Sequence, residues 1–202
     1  MNLVLAEETE LGRQIDCTAL YLGLTELTKY PDLRLSINMS ARSIGYGQWV
    51  DIVGRALRRD SSIADRLILE ITESSAILVP ELVMHFMRDL RQRGITFALD
   101  DFGAGTTSFR YLRDFAFDIV KIDGQFTKNV AADPHNQGMI QSLRSISDHF
   151  GMFIIAEAVE CEGNSQWLSE MLVDCQQGYF GGAPTVNPNW HQGYSEKEAA
   201  TA

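Results

Sequence analysis

The 202 residues are 45% hydrophobic and carry a formal net charge of −10, which suits one globular domain with a buried core and argues against non-specific nucleic-acid binding, since the acidic surface repels phosphates. No apolar run reaches the roughly 18 residues of a membrane span, and the opening MNLVLAEETELGR has acids where a secretory leader has a basic start, so the expectation is a soluble, cytoplasmic chain. Cys17, Cys161 and Cys175 are widely spaced without a CxxC pair, which argues against a disulfide frame or thiolate zinc site and leaves them reduced.

Short apolar runs alternate along the chain with amphipathic segments of helical length. LRLSIN ends at Asn38 and precedes a helix expected over 48–59. RLILEIT surrounds Glu70 and precedes a helix over 80–93. ITFALDD ends at Asp101, and the glycine loop behind it leads to a helix over 106–114. FDIVKID ends at Asp123 ahead of a helix over 137–150, MFIIAEAVE ends at Glu160 ahead of one over 164–171, and a weaker run, LVDCQQG, closes the series. Strands that are apolar throughout and separated by helices imply a parallel sheet buried on both faces, either doubly wound or a barrel. No linker divides 1–202, which reads as a single domain; 185–202, with its Asn, Pro and Gly, reads as a flexible tail.

The polar residues favour the barrel. Asn38, Glu70, Asp100 with Asp101, Lys121, Glu157 and Gln177 each stand at or near the C-terminal end of a successive strand, the end at which a parallel barrel gathers its active-site groups. Oxygen ligands with one lysine point to hard divalent cations, and the adjacent carboxylates Asp100 and Asp101 repel each other unless cations or hydrogen bonds hold them. Simpler readings stand beside each. Asn38 could be a turn or cap residue, Glu70 a salt-bridge partner of Lys121, Asp123 another such partner, and Glu73 and Ser74 caps of the next segment. Glu160 fits a solvated helix start as well as a site. His85, His135, His149 and His191 show no metal-ligand spacing and receive no role.

SINMSARSI, LEITESS, FALDDFGAGTTSFRYL, FDIVKIDGQF, IIAEAVE and DCQQGYFGGAP follow in order and spacing the motifs of EAL domains, bacterial cyclic di-GMP phosphodiesterases, and the chain resembles that family over nearly its whole length. The resemblance implies a modified TIM (β/α) barrel and metal-dependent hydrolysis of cyclic di-GMP to pGpG with Mg2+ or Mn2+. It assigns Asn38, Glu70, Asp100, Asp101 and Glu157 to the metals. The catalytic set it implies is Lys121, Asp101, Glu160 and Gln177: Lys121 to orient or deprotonate the attacking water, Gln177 to complete the site, and Glu160 to help hold the DFGAG loop. The Glu-Ala-Leu triplet that names the family occurs nowhere in the sequence. The expectation is therefore an incomplete barrel lacking the family's first two strands and first metal-binding glutamate, with unpaired strand edges. Such a chain is expected to be a homodimer or higher oligomer, impaired in hydrolysis on its own, with an upstream sensory or cyclase-like domain; the alternative is a catalytically inactive regulatory or nucleotide- or protein-binding module.

Overall fold

Strands β1 (Leu35–Asn38), β2 (Leu67–Thr72), β3 (Thr96–Phe102), β4 (Ile119–Ile122), β5 (Phe153–Ala156) and β6 (Cys175–Gln176) pair in that order, all parallel, in the computed structural model, which describes residues 10–103, 109–188 and 190. Strand order that follows chain order without reversal is the wall of a barrel; a doubly wound sheet reverses at a switch point. The fold is α/β, an incomplete TIM-type barrel, and among the described residues β1 and β6 are its two edges.

Helices α1 (Glu10–Lys29), α2 (Gly47–Arg59), α3 (Glu73–Leu78), α4 (Pro80–Arg91), α5 (Phe109–Phe115), α6 (Gly124–Thr127), α7 (Pro134–Phe150) and α8 (Glu162–Glu170) alternate with the strands. On β2, Leu67, Leu69 and Ile71 are fully buried, and Phe97 and Leu99 of β3 continue the same parity. Trp49 of α2 and Phe86 of α4 cover them, stacked edge-on at 5.4 Å, with Phe86 and Phe97 at 6.1 Å, an arrangement in which ring edges meet ring faces. The other parity of these strands carries Glu70, Ala98 and Asp100, so alternation alone puts the carboxylates on the face away from that helix layer.

α1 corrects the reading from sequence, which places no helix before residue 48. Cys17, Leu20, Leu24 and Leu27 recur at three- and four-residue spacing and are buried, while Thr18, Thr25 and Thr28 bond back to the carbonyls four residues earlier. Threonines that weaken a helix signal in sequence are thus accommodated within it. α7 begins at Pro134, three residues before its expected start, because Asp133 caps the first turn by accepting from the His135 and Asn136 N–H groups. It ends on Gly151 at φ +66°, the left-handed cap that glycine adopts without strain. Of the helix expected over 106–114, positions 106–108 lie outside the described residues. So do 189 and 191–202 of the expected tail, whereas Trp190 Nε1 donates to Glu26 Oε2 of α1 at 3.5 Å. Cys17 is buried, Cys161 and Cys175 are exposed, and all three are free thiols. Among the described residues no helix is long and apolar enough to cross a membrane.

Candidate metal centre and cleft

Lys121 stands inside β4 with its side chain 4% exposed and three carboxylates around its ammonium: Glu70 Oε2 at 2.9 Å, Asp100 Oδ1 at 2.8 Å and Glu157 Oε1 at 2.7 Å. Burial alone would push this lysine's pKa down, but the hydrogen bonds to Asp100 and Glu157 and the charge of Glu70 hold it above the usual lysine range, so it remains an ammonium. Burial pushes the Glu157 carboxyl up, against the pull of Lys121, and Asp100 and Asp101 push it further. Three carboxylates share one ammonium, so the pocket holds more negative charge than it neutralises.

Asn38, at the end of β1, faces the same cluster. With its amide nitrogen inward it donates to Glu70 Oε2 and Asp100 Oδ2, each at 3.3 Å; with its oxygen inward, three oxygens converge on one point, an arrangement a hard cation stabilises.

Asp101 reaches the cluster by an irregular backbone. Neighbours on a strand point to opposite faces, so a regular β3 would separate Asp101 from Asp100. The β3–β4 register instead shifts between Leu99 and Phe102, and Asp101 adopts φ +54°, a conformation in which a non-glycine residue is strained. The result is a group of Asp100, Asp101 and Glu157 with ligand oxygens all within 4.8 Å of one another. Oxygen donors alone, in net negative surroundings, fit a hard divalent ion.

A cleft of about 630 Å³ opens over this group, lined by Asp101, Asp123, Glu157, Glu160, Gln177 and Tyr179. Gln177 is held there by its backbone: its N–H donates to Ala156 O at 2.8 Å and its carbonyl accepts from Val159 N at 3.0 Å. Of the residues singled out in sequence, Glu70, Asp100 and Lys121 are buried, half-buried Glu157 and exposed Asn38 complete the cluster around them, and Glu160 and Gln177 join Asp101 and Glu157 at the cleft wall. Asp123 is not a partner of Lys121; it caps α6 by accepting from Gln125 N at 2.7 Å.

Glu73 is the site residue that the sequence reading passed over. The cap of α3 is Thr72, which accepts from Ser75 N. Glu73 is buried, and its Oε2 accepts from Gly103 N at 3.2 Å, while Oε1 has no hydrogen-bond partner among the described residues. Gln125 Nε2 donates to the Gly103 carbonyl at 3.2 Å. Gly103, at the mouth of the DFGAG loop, is therefore anchored by Glu73 and Gln125; Glu160, the residue expected to help hold the loop, stands exposed at the cleft wall, and 104–108 lie outside the described residues. The signal for Glu73 was a second carboxylate three residues beyond Glu70 in LEITES.

A family model described as EAL domain matches residues 3–184. The cyclic di-GMP phosphodiesterase PdeB of Shewanella oneidensis is 34% identical over 155 residues, covering 77% of this chain and 18% of that protein's own length. Among solved structures, the c-di-GMP complex of the PaMucR phosphodiesterase is similar at a TM-score of 0.75 and 29% identity, covering 91% of this chain and 76% of that one. The EAL domain of Xanthomonas citri FimX, solved with c-diGMP, reaches a TM-score of 0.84 at 23% identity over 92% of this chain and 76% of that one, a likeness of fold.

Proposed function

The chain belongs to the EAL domain family, and from that footing we propose that its cleft hydrolyses one phosphodiester of cyclic di-GMP to give pGpG, with Mg2+ or Mn2+ held by Asn38, Glu70, Asp100, Asp101 and Glu157. The observation that carries this reading is the buried Lys121 between Glu70, Asp100 and Glu157, with Asp101 brought beside them by a strained backbone. A divalent cation there supplies a water of lowered pKa and charge to steady the phosphate oxygens.

The protein's own groups do the rest. Lys121, set between three carboxylates in reach of the proposed metal ligands, is placed to orient or deprotonate the attacking water. Gln177, at the cleft wall, presents an amide that can donate to the nucleotide, and Glu160 stands on the same wall. Glu73 and Gln125 hold Gly103 and through it the backbone on which Asp100 and Asp101 stand; fixing ligands in this way is the usual work of groups behind a metal site.

The test is chromatographic: conversion of cyclic di-GMP to pGpG by the 202-residue chain with Mn2+, compared with Glu70→Ala and Lys121→Ala. Slow turnover that both substitutions abolish supports the reading. Turnover unaffected by Glu70→Ala overturns the site, and nucleotide binding without any turnover would make the chain a binding module.

A further inference from the structure

Ser36 lies two residues before Asn38 on β1 and therefore on the same face of the strand. The register pairs Asn38 with Glu70 and Ser36 with Ile68, which makes Ser36 the diagonal neighbour of Glu70, within reach of a long side chain. The Ser36 hydroxyl donates to Glu70 Oε1. The other oxygen of that carboxylate, Oε2, meets Lys121 at 2.9 Å and the Asn38 amide at 3.3 Å. The two oxygens of Glu70 thus have different surroundings: Oε1 is tied back along β1, and Oε2 is turned toward Lys121 and Asp100.

Resting on the metal centre proposed above, we infer that Ser36 is a positioning residue that confines Glu70 to ligation through one oxygen and so sets the cation preference of the centre. Small six-coordinate ions such as Mg2+ take one oxygen from each carboxylate in near-octahedral geometry, whereas Ca2+ accepts about 6–8 oxygens and readily uses both from one carboxylate. The hydrogen bond takes one lone pair of Oε1 and ties that oxygen back along β1, so the two oxygens are not free to turn together onto one ion as Ca2+ would use them. Removing the hydroxyl releases Oε1. Serine suits the position because it donates without adding charge, so it fixes the carboxylate without competing with the cation, and β1 holds it rigidly, paired to β2 at each of its residues.

The experiment titrates Mn2+ and Ca2+ separately into the metal-free 202-residue chain by calorimetry, for the unsubstituted protein, Ser36→Ala and Ser36→Thr, with thermal melts of each metal-free protein. Ser36→Ala is expected to lower Mn2+ affinity about tenfold, the lower end of the roughly 10–100-fold seen when a group orienting a ligand is removed. Ca2+ affinity holds or rises, so the preference for Mn2+ over Ca2+ falls, and Ser36→Thr, which keeps the hydroxyl, restores it. Equal weakening of both ions, as a structural role alone would give, overturns the inference, and so does an unchanged preference in Ser36→Ala. Failure of the unsubstituted chain to take up either ion overturns the metal centre itself, a result that does not depend on Ser36.

Discussion

Without its ammonium, Lys121 would leave Glu70, Asp100 and Glu157 facing one another in a space almost closed to water. Breaking a buried ionic group by deleting one partner costs about 3–5 kcal/mol. Lys121→Met should therefore lose stability of that order in urea unfolding with chelator present, and added Mn2+ should recover part of it by replacing the missing charge; equal stability to the unsubstituted chain in chelator would show that the carboxylates do not depend on the lysine. Asp16 offers a test by pH. Its carboxyl is raised above its usual 3.8 by burial, against hydrogen bonds from Ser43 and Ser40. A raised carboxyl contributes stability that is complete below 3.8 and lost as pH rises through the folded-state value. Asp16→Asn, which cannot ionise, should gain on the unsubstituted chain as the pH of urea unfolding moves from below 3.8 toward neutrality. A stability difference that stays flat across that range would contradict the burial of this charge.

Two glycines show how the elements hold the cleft. Gly103, at φ +94°, ends the carboxylate strand, and a Cβ there would lie 2.6 Å from the Phe126 ring. Gly178 follows β6, and a Cβ there would lie 2.2 Å from the Val159 carbonyl oxygen. A ring on a short helix can tip aside; a backbone carbonyl fixed by the Phe180 N–H from which it accepts at 3.0 Å cannot. Gly178→Ala should accordingly destabilise more than Gly103→Ala in thermal melts, with Gly103→Ala losing about 1–3 kcal/mol from its left-handed backbone. Gly103→Ala should also weaken Mn2+ binding, since Gly103 N–H is the group Glu73 holds. The reverse order of stability would show that the Val159 backbone gives way more readily than the Phe126 ring, and unchanged Mn2+ affinity in Gly103→Ala would show that the loop does not set the positions of Asp100 and Asp101.

At the scale of the whole molecule the expectation concerns β1, which is an edge strand among the described residues. Beside β1 runs a groove of about 450 Å³ lined by Ile15, Ala19, Leu22 and Gly23 of α1 and by Leu35 and Ile37 of β1. Ile15 and Leu22 are exposed at 48% and 58%, and among the described residues β1 pairs only with β2. An apolar groove along an unpaired strand invites pairing between chains. The 202-residue chain should associate as its concentration rises, and Leu35→Lys, which puts a charge on that edge, should shift light scattering toward monomer. A stable monomer at every concentration would mean that this edge is covered within the chain.

The strand-end positions of Asn38, Glu70, Asp100, Lys121 and Glu157 were legible in the sequence because each falls at or near the end of an apolar run, and for Glu70, Asp100 and Lys121 burial demands a partner. The parallel sheet followed from strands apolar on both faces, and the absence of any reversal in strand order made it a barrel wall. What the sequence could not decide was pairing at a distance. Glu73 looks like an ordinary first-turn acid until Gly103 is brought to it from 30 residues away, and Ser36 looks like one more small residue until register sets it diagonally across from Glu70. Asp101 belongs to the same class: strand alternation would send it away from Asp100, and only the shifted register and left-handed backbone turn it back. Local pattern fixes which face a side chain takes; the contacts that hold a charge in place depend on where the rest of the chain arrives.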